Sequence, residues 1–124
     1  LEQWGWLGQH TGDSVAPGLT ISSFHIEQLE RSIAIMPDIA HGWLLQKIDK
    51  TSLKAAVDLG LSGIYPNAGK VTKKQITDAN DAGLIVRTWG ISDSKAALRR
   101  AYRSGAVGTT VDWPSRAREI IASI

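Results

Sequence analysis

Apolar and polar positions along this chain follow two periods that take turns. Ile26, Leu29, Ile33 and Met36 fall on one stripe at helical spacing, and Pro37 closes the run, so a helix is predicted over 26–35. Leu53, Ala56 and Val57 mark a buried face over 50–59, with Thr51 or Ser52 as its cap. Thr72 followed by Gln75 reads as a capping box that opens a third helix over 72–82. A fourth, over 94–104, turns Ala97, Leu98, Ala101 and Tyr102 inward behind an Asp93 or Ser94 cap. The fifth, over 115–124, follows Pro114 and shows Ala117, Ile120, Ile121 and Ile124. Short runs bounded by Gly, Pro or Asn lie between: 19–24, 42–45, 63–65, 84–89 and 108–111. Several are apolar along their length instead of alternating, as expected of parallel strands covered on both faces.

These units repeat. Asp58-Leu59-Gly60, Asp81-Ala82-Gly83 and Arg103-Ser104-Gly105 each end a helix and lead into an apolar run, with the glycines 23 and 22 residues apart. Such a period fits one helix, a left-handed glycine past its end, one strand and a return loop. Strand alternating with helix predicts a parallel α/β architecture, either a partial (β/α) barrel or a small open sheet. Residues 1–18, with Trp4, Trp6, Gly12 and Pro17, form a leading segment of unclear role, and 19–124 form the domain. The chain opens Leu1-Glu2-Gln3 without an initiator Met or a signal segment, as expected of a processed chain, an excised domain or part of something longer.

Composition removes several function classes. The 124 residues are 43% hydrophobic and 21% charged, which fits one globular domain. No apolar run approaches the roughly 20 residues of a membrane span. Cysteine is absent, which excludes disulfides, thiolate zinc sites and cysteine nucleophiles and leaves the compartment open. The net charge is +2, and the small clusters Lys73-Lys74 and Arg99-Arg100-Arg103 read as solvated helix faces, so nucleic acid is not an expected partner.

Ligands of parallel α/β folds bind at the carboxyl ends of the strands. That rule nominates Ser23-Phe24-His25, Leu45-Gln46-Lys47, Pro66-Asn67-Ala68, Trp89-Gly90-Ile91 and Asp112-Trp113. The aromatic residues among them either line an apolar pocket or plug the top of the barrel. His25 is the only histidine near a strand end, and Asp112 the only carboxylate beside it. His10 and His41 match no metal spacing and read as surface or hydrogen-bonded core residues. The stretch 63–70 is one residue too long for a phosphate loop, and Val71 stands where Ser or Thr would hold magnesium. The residues alone describe a polar-aromatic rim without a complete active site.

The order of motifs resembles the C-terminal part of glycerophosphodiester phosphodiesterases. Thr20-Ile21-Ser22-Ser23-Phe24 and then Pro37-Asp38-Ile39 before Gly42-Trp43-Leu44-Leu45 match that family's Ser-Phe strand, Pro-Asp and Leu-Leu strand. The stretch 72–89, ending Val86-Arg87-Thr88-Trp89, is similar to its Trp-Thr-Val-Asn region, although here Gly90-Ile91-Ser92 follows the Trp. The stretch 105–114, ending Val111-Asp112-Trp113-Pro114, is similar to its closing Thr-Asp-x-Pro, with Val for Thr. The likeness runs over residues 19–124.

This resemblance implies α/β units forming the C-terminal part of a TIM barrel. It also implies metal-dependent hydrolysis of glycerophosphodiesters to an alcohol and glycerol 3-phosphate, with calcium or magnesium as the divalent cation. The family's His-Arg-Gly, Glu-x-Asp and Glu-x-Lys motifs precede the Ser-Phe strand and do not occur in this chain. No catalytic or metal-ligating residue is therefore carried over; Phe24 and Trp89 are, as the substrate-binding wall near the glycerol or leaving alcohol. The implied substrate is a small glycerophosphodiester. An open arc is further expected to pack against the missing barrel half, a partner chain or a second copy. A different reading is a non-catalytic half-barrel that binds a small phosphorylated ligand or a protein partner through amides at the starts of the last two helices.

Overall fold

The computed structural model describes residues 19–124; the leading segment, with His10, lies outside the described residues. Strand and helix alternate strictly through β1 (Thr20–Ser23), α1 (Ile26–Ile35), β2 (Ala40–Leu45), α2 (Lys50–Leu59) and β3 (Gly63–Pro66). The order continues with α3 (Lys73–Asp81), β4 (Ile85–Thr88), α4 (Lys95–Tyr102), β5 (Gly108–Thr109) and α5 (Pro114–Ala122). The strands are all parallel and lie in the order β1-β2-β3-β4-β5. A sequential order means that every crossover steps the same way, so the helices collect on one face. This is the winding of a TIM barrel, and a doubly wound sheet would reverse its strand order. The described chain is thus an arc of parallel β/α units.

The main core lies between sheet and helices, where Leu29, Ile48, Ala56, Ile64, Ile76 and Val86 are almost wholly buried. A smaller cluster of Ile91, Leu98, Ala101, Ala117 and Ile120 joins α4 to α5 beside the β5 edge. Within the described residues the strands are covered on one face only, as expected of an open arc and not of strands covered on both sides. Ile64 and Val86 point into the helix layer, but Thr20, Ser22 and Arg87 on the opposite, concave face are exposed. Five strands do not close on themselves, so no element of the described residues faces that side.

Local chemistry explains the helix boundaries. Asp49 caps α2: its Oδ1 accepts from the Ser52 amide at 2.7 Å, and the Ser52 hydroxyl is 2.9 Å from the Asp49 amide. This corrects the expected Thr51 or Ser52 cap, since Ser52 is the returning half of the box. The hydrogen bond from the Ser52 amide to the ionised carboxylate holds the Asp49 carboxyl below its usual value. Thr72 and Gln75 form the anticipated capping box of α3, and Ser94 accepts from the Ala97 amide to start α4. Gly60, Gly83 and Gly105 all have positive φ, between 79° and 97°, which is the physical content of the repeat.

Three expected core residues are instead exposed. Val57 (48%) and Tyr102 (54%) lie at the margins of their helical stripes, and Ile124 (43%) lies beyond the end of α5, which stops at Ala122. His41 belongs to β2, which starts two residues earlier than the apolar run suggested, and it is buried. Its Nδ1 donates to the Ile39 carbonyl at 2.7 Å, and its Nε2 lies 2.8 Å from the Ser32 hydroxyl of α1. It is a hydrogen-bonded core residue that ties helix to sheet.

Candidate functional site

The carboxyl ends of the strands form one rim, and the two aromatic residues nominated from sequence meet there. Phe24 follows β1 and Trp89 follows β4, yet their ring centroids are 5.4 Å apart with planes at 86°, an edge-to-face contact. Curling of the sheet brings these ends together across β2 and β3. Each side of the pair is anchored through an indole. Trp89 Nε1 donates to the Tyr65 carbonyl at 2.9 Å, while Trp43 Nε1 donates to the Phe24 carbonyl at 3.1 Å.

The backbone beneath Trp89 is equally fixed. Asn67 and Trp89 form an isolated parallel bridge, with Ala68 N donating to the Trp89 carbonyl at 2.7 Å. Gly90 follows at φ 79°, and a Cβ there would sit 3.0 Å from the Asn67 side-chain amide. Two constraints therefore require glycine: left-handed backbone and close approach. Where the family resemblance led one to expect Thr after the Trp, this turn excludes it.

Below the aromatic pair the concave face holds a cavity of about 300 Å³ lined by Thr20, Ser22, Leu44, Tyr65, Arg87 and Trp89 among others. Tyr65 lies over Gly42, whose missing Cβ leaves room for the phenol ring. Burial pushes the Tyr65 phenol up, and the positive Arg87 opposes that shift. Alkaline ultraviolet titration should therefore show Tyr65 ionising above the ordinary 10.0, and higher still in Arg87→Met. A Tyr65→Phe chain assigns the step; no movement between wild type and Arg87→Met would contradict this geometry.

Tyr65 and Arg87 were not among the residues nominated from sequence. Their signal was a polar group at the inner position of a short strand, Tyr65 between Ile64 and Pro66, and Arg87 between Val86 and Thr88. His25 and Asp112 are both exposed on the rim. Trp113 precedes α5, and Arg116 stacks on its ring at 5.2 Å while pairing with Asp93 at 3.1 Å. Among the described residues no three His, Asp or Glu side chains come together as a metal site, so this donor set does not fit a divalent cation. No described helix is long and apolar enough to cross a membrane.

Fold and rim together define a part-barrel with an aromatic lip over a polar concave face. Its likeness to solved structures is specific. A phosphodiesterase from Oleispira antarctica, solved with the product sn-glycerol-3-phosphate, matches 84% of this chain at a TM-score of 0.77 and 24% identity. A Silicibacter pomeroyi structure described as a glycerophosphoryl diester phosphodiesterase matches 84% at 0.75 and 24% identity. A glycerophosphodiester phosphodiesterase from Parabacteroides distasonis matches 82% at 0.64 and 17%. The chain covers only 42%, 38% and 42% of these three structures, and at such identities the likeness is one of fold. Neither a family model nor a curated protein sequence matches the chain.

Proposed function

We propose that this chain is the C-terminal portion of a glycerophosphodiester phosphodiesterase. In that enzyme it forms one wall of the substrate pocket, while polypeptide outside the chain supplies the catalytic histidine and the carboxylates that hold calcium or magnesium. The observation that carries this reading is the Phe24–Trp89 contact, which sets an apolar lip over the strand ends of a barrel arc shared with solved phosphodiesterases. Hydrolysis of a phosphodiester needs charge neutralisation at the phosphoryl oxygens and groups that move protons. His25 and Asp112 do not amount to that set. The task that remains for these residues is positioning: Phe24 and Trp89 hold the glycerol or leaving alcohol by shape and exclude water from one side.

The test is hydrolysis of glycerophosphocholine, with and without calcium or magnesium, by this chain and by a longer polypeptide that contains it. Cation-dependent activity in the longer polypeptide alone is the expected result. No activity in either would remove the enzyme reading. It would favour a part-barrel that binds a phosphorylated ligand at the start of α5, whose N-cap Trp113 offers no side-chain acceptor to the first-turn amides.

A further inference from the structure

We infer that the polypeptide closing the barrel over this arc presents a carboxylate to Arg87. The inference rests on the part-barrel reading above and adds the charge of the missing face. Arg87 sits on the concave side of β4, directly paired in register with Gly108 of β5. Its guanidinium lies against that glycine, since a Cβ at Gly108 would fall 3.1–3.2 Å from Cζ, Nη1 and Nη2. The side chain is therefore laid across the sheet.

Among the described residues no acid meets it there. Leu44 and Tyr65 continue the same row, and Thr20, Ser22, Thr88, Trp89 and Thr110 line the rest of the cavity. The ion pairs among the described residues are Lys54–Asp58, Lys74–Asp78 and Arg116–Asp93, and none includes Arg87.

In a closed barrel of eight strands the interior is filled by side chains and excludes water. A guanidinium enclosed there without an anion is strongly disfavoured. A second copy is a poor occupant, because two arcs of five strands give ten and would bring one Arg87 face towards another. Three further strands bearing a carboxylate satisfy both the strand count and the charge. Arg87 also lies two residues before Trp89, about 7 Å below the rim, which suits an interior side chain better than a ligand at the lip.

The experiment compares melting temperatures of Arg87→Met, Arg87→Lys and Arg87→Glu in the longer polypeptide. Loss of the pair should lower the midpoint by about 10 °C in Arg87→Met, more in Arg87→Glu and least in Arg87→Lys. In the 124-residue chain, where the face is open, the same changes should fall within about 2 °C of wild type. A longer polypeptide in which Arg87→Met is neutral or stabilising overturns the inference, and so does one in which Arg87→Glu costs no more than Arg87→Lys. Glycerophosphocholine hydrolysis is scored separately. Activity with a neutral Arg87→Met sinks only this inference, whereas no activity with a large Arg87 effect sinks only the enzyme reading.

Discussion

Replacing Ile64 by Ala should cost about 3–5 kcal/mol of folding stability, the largest effect expected of a single side chain here. Ile64 is fully buried on β3, the middle strand of the sheet, and faces the main core. Its removal leaves a cavity that the strands on either side hold open, because both are fixed by parallel ladders. Since a domain of this size is stable by only about 5–15 kcal/mol, such a loss approaches unfolding. Urea denaturation reads it as a lower midpoint at unchanged slope. Ile64→Val, which removes one methylene, should cost about 0.5–1.5 kcal/mol and keeps the test readable if the Ala chain does not fold. Equal costs for the two would contradict the packing described.

The second large effect concerns the rim. Trp89→Ala in the longer polypeptide should lower kcat/KM for glycerophosphocholine about 10- to 100-fold, or about 1.4–2.8 kcal/mol. The change deletes the lip, the edge-to-face contact with Phe24 and the hydrogen bond to the Tyr65 carbonyl together. Phe24→Ala should cost less, because Trp89 keeps its own anchor. The double replacement should cost less than the sum, since the rings touch. Strict additivity would mean that the two act on different parts of the substrate or on none.

Much of the fold was legible because its signals are local. The α1 and α2 boundaries follow from Pro37 and from the left-handed Gly60, and the Thr72–Gln75 box announces the start of α3. What was not legible depends on closure. Whether Val57 or Tyr102 is buried is decided by how far the sheet extends beneath each helix, and helical periodicity carries no record of that. The concave face escaped for the same reason: a strand such as Ile85–Thr88 reads as apolar with interruptions until its neighbours fix which side each residue takes. Of the rim, Phe24 and Trp89 were accessible from the order of motifs, but their contact spans 65 residues of chain and follows only from curvature.

The two margins of the described sheet are unequal. β1 has four residues in its ladder and β5 only two. Head-to-tail addition of copies, each laying its first strand on the last strand of the next, would be held by the shorter margin alone. Open-ended growth into fibres is thereby kept weak even while the arc stands unclosed.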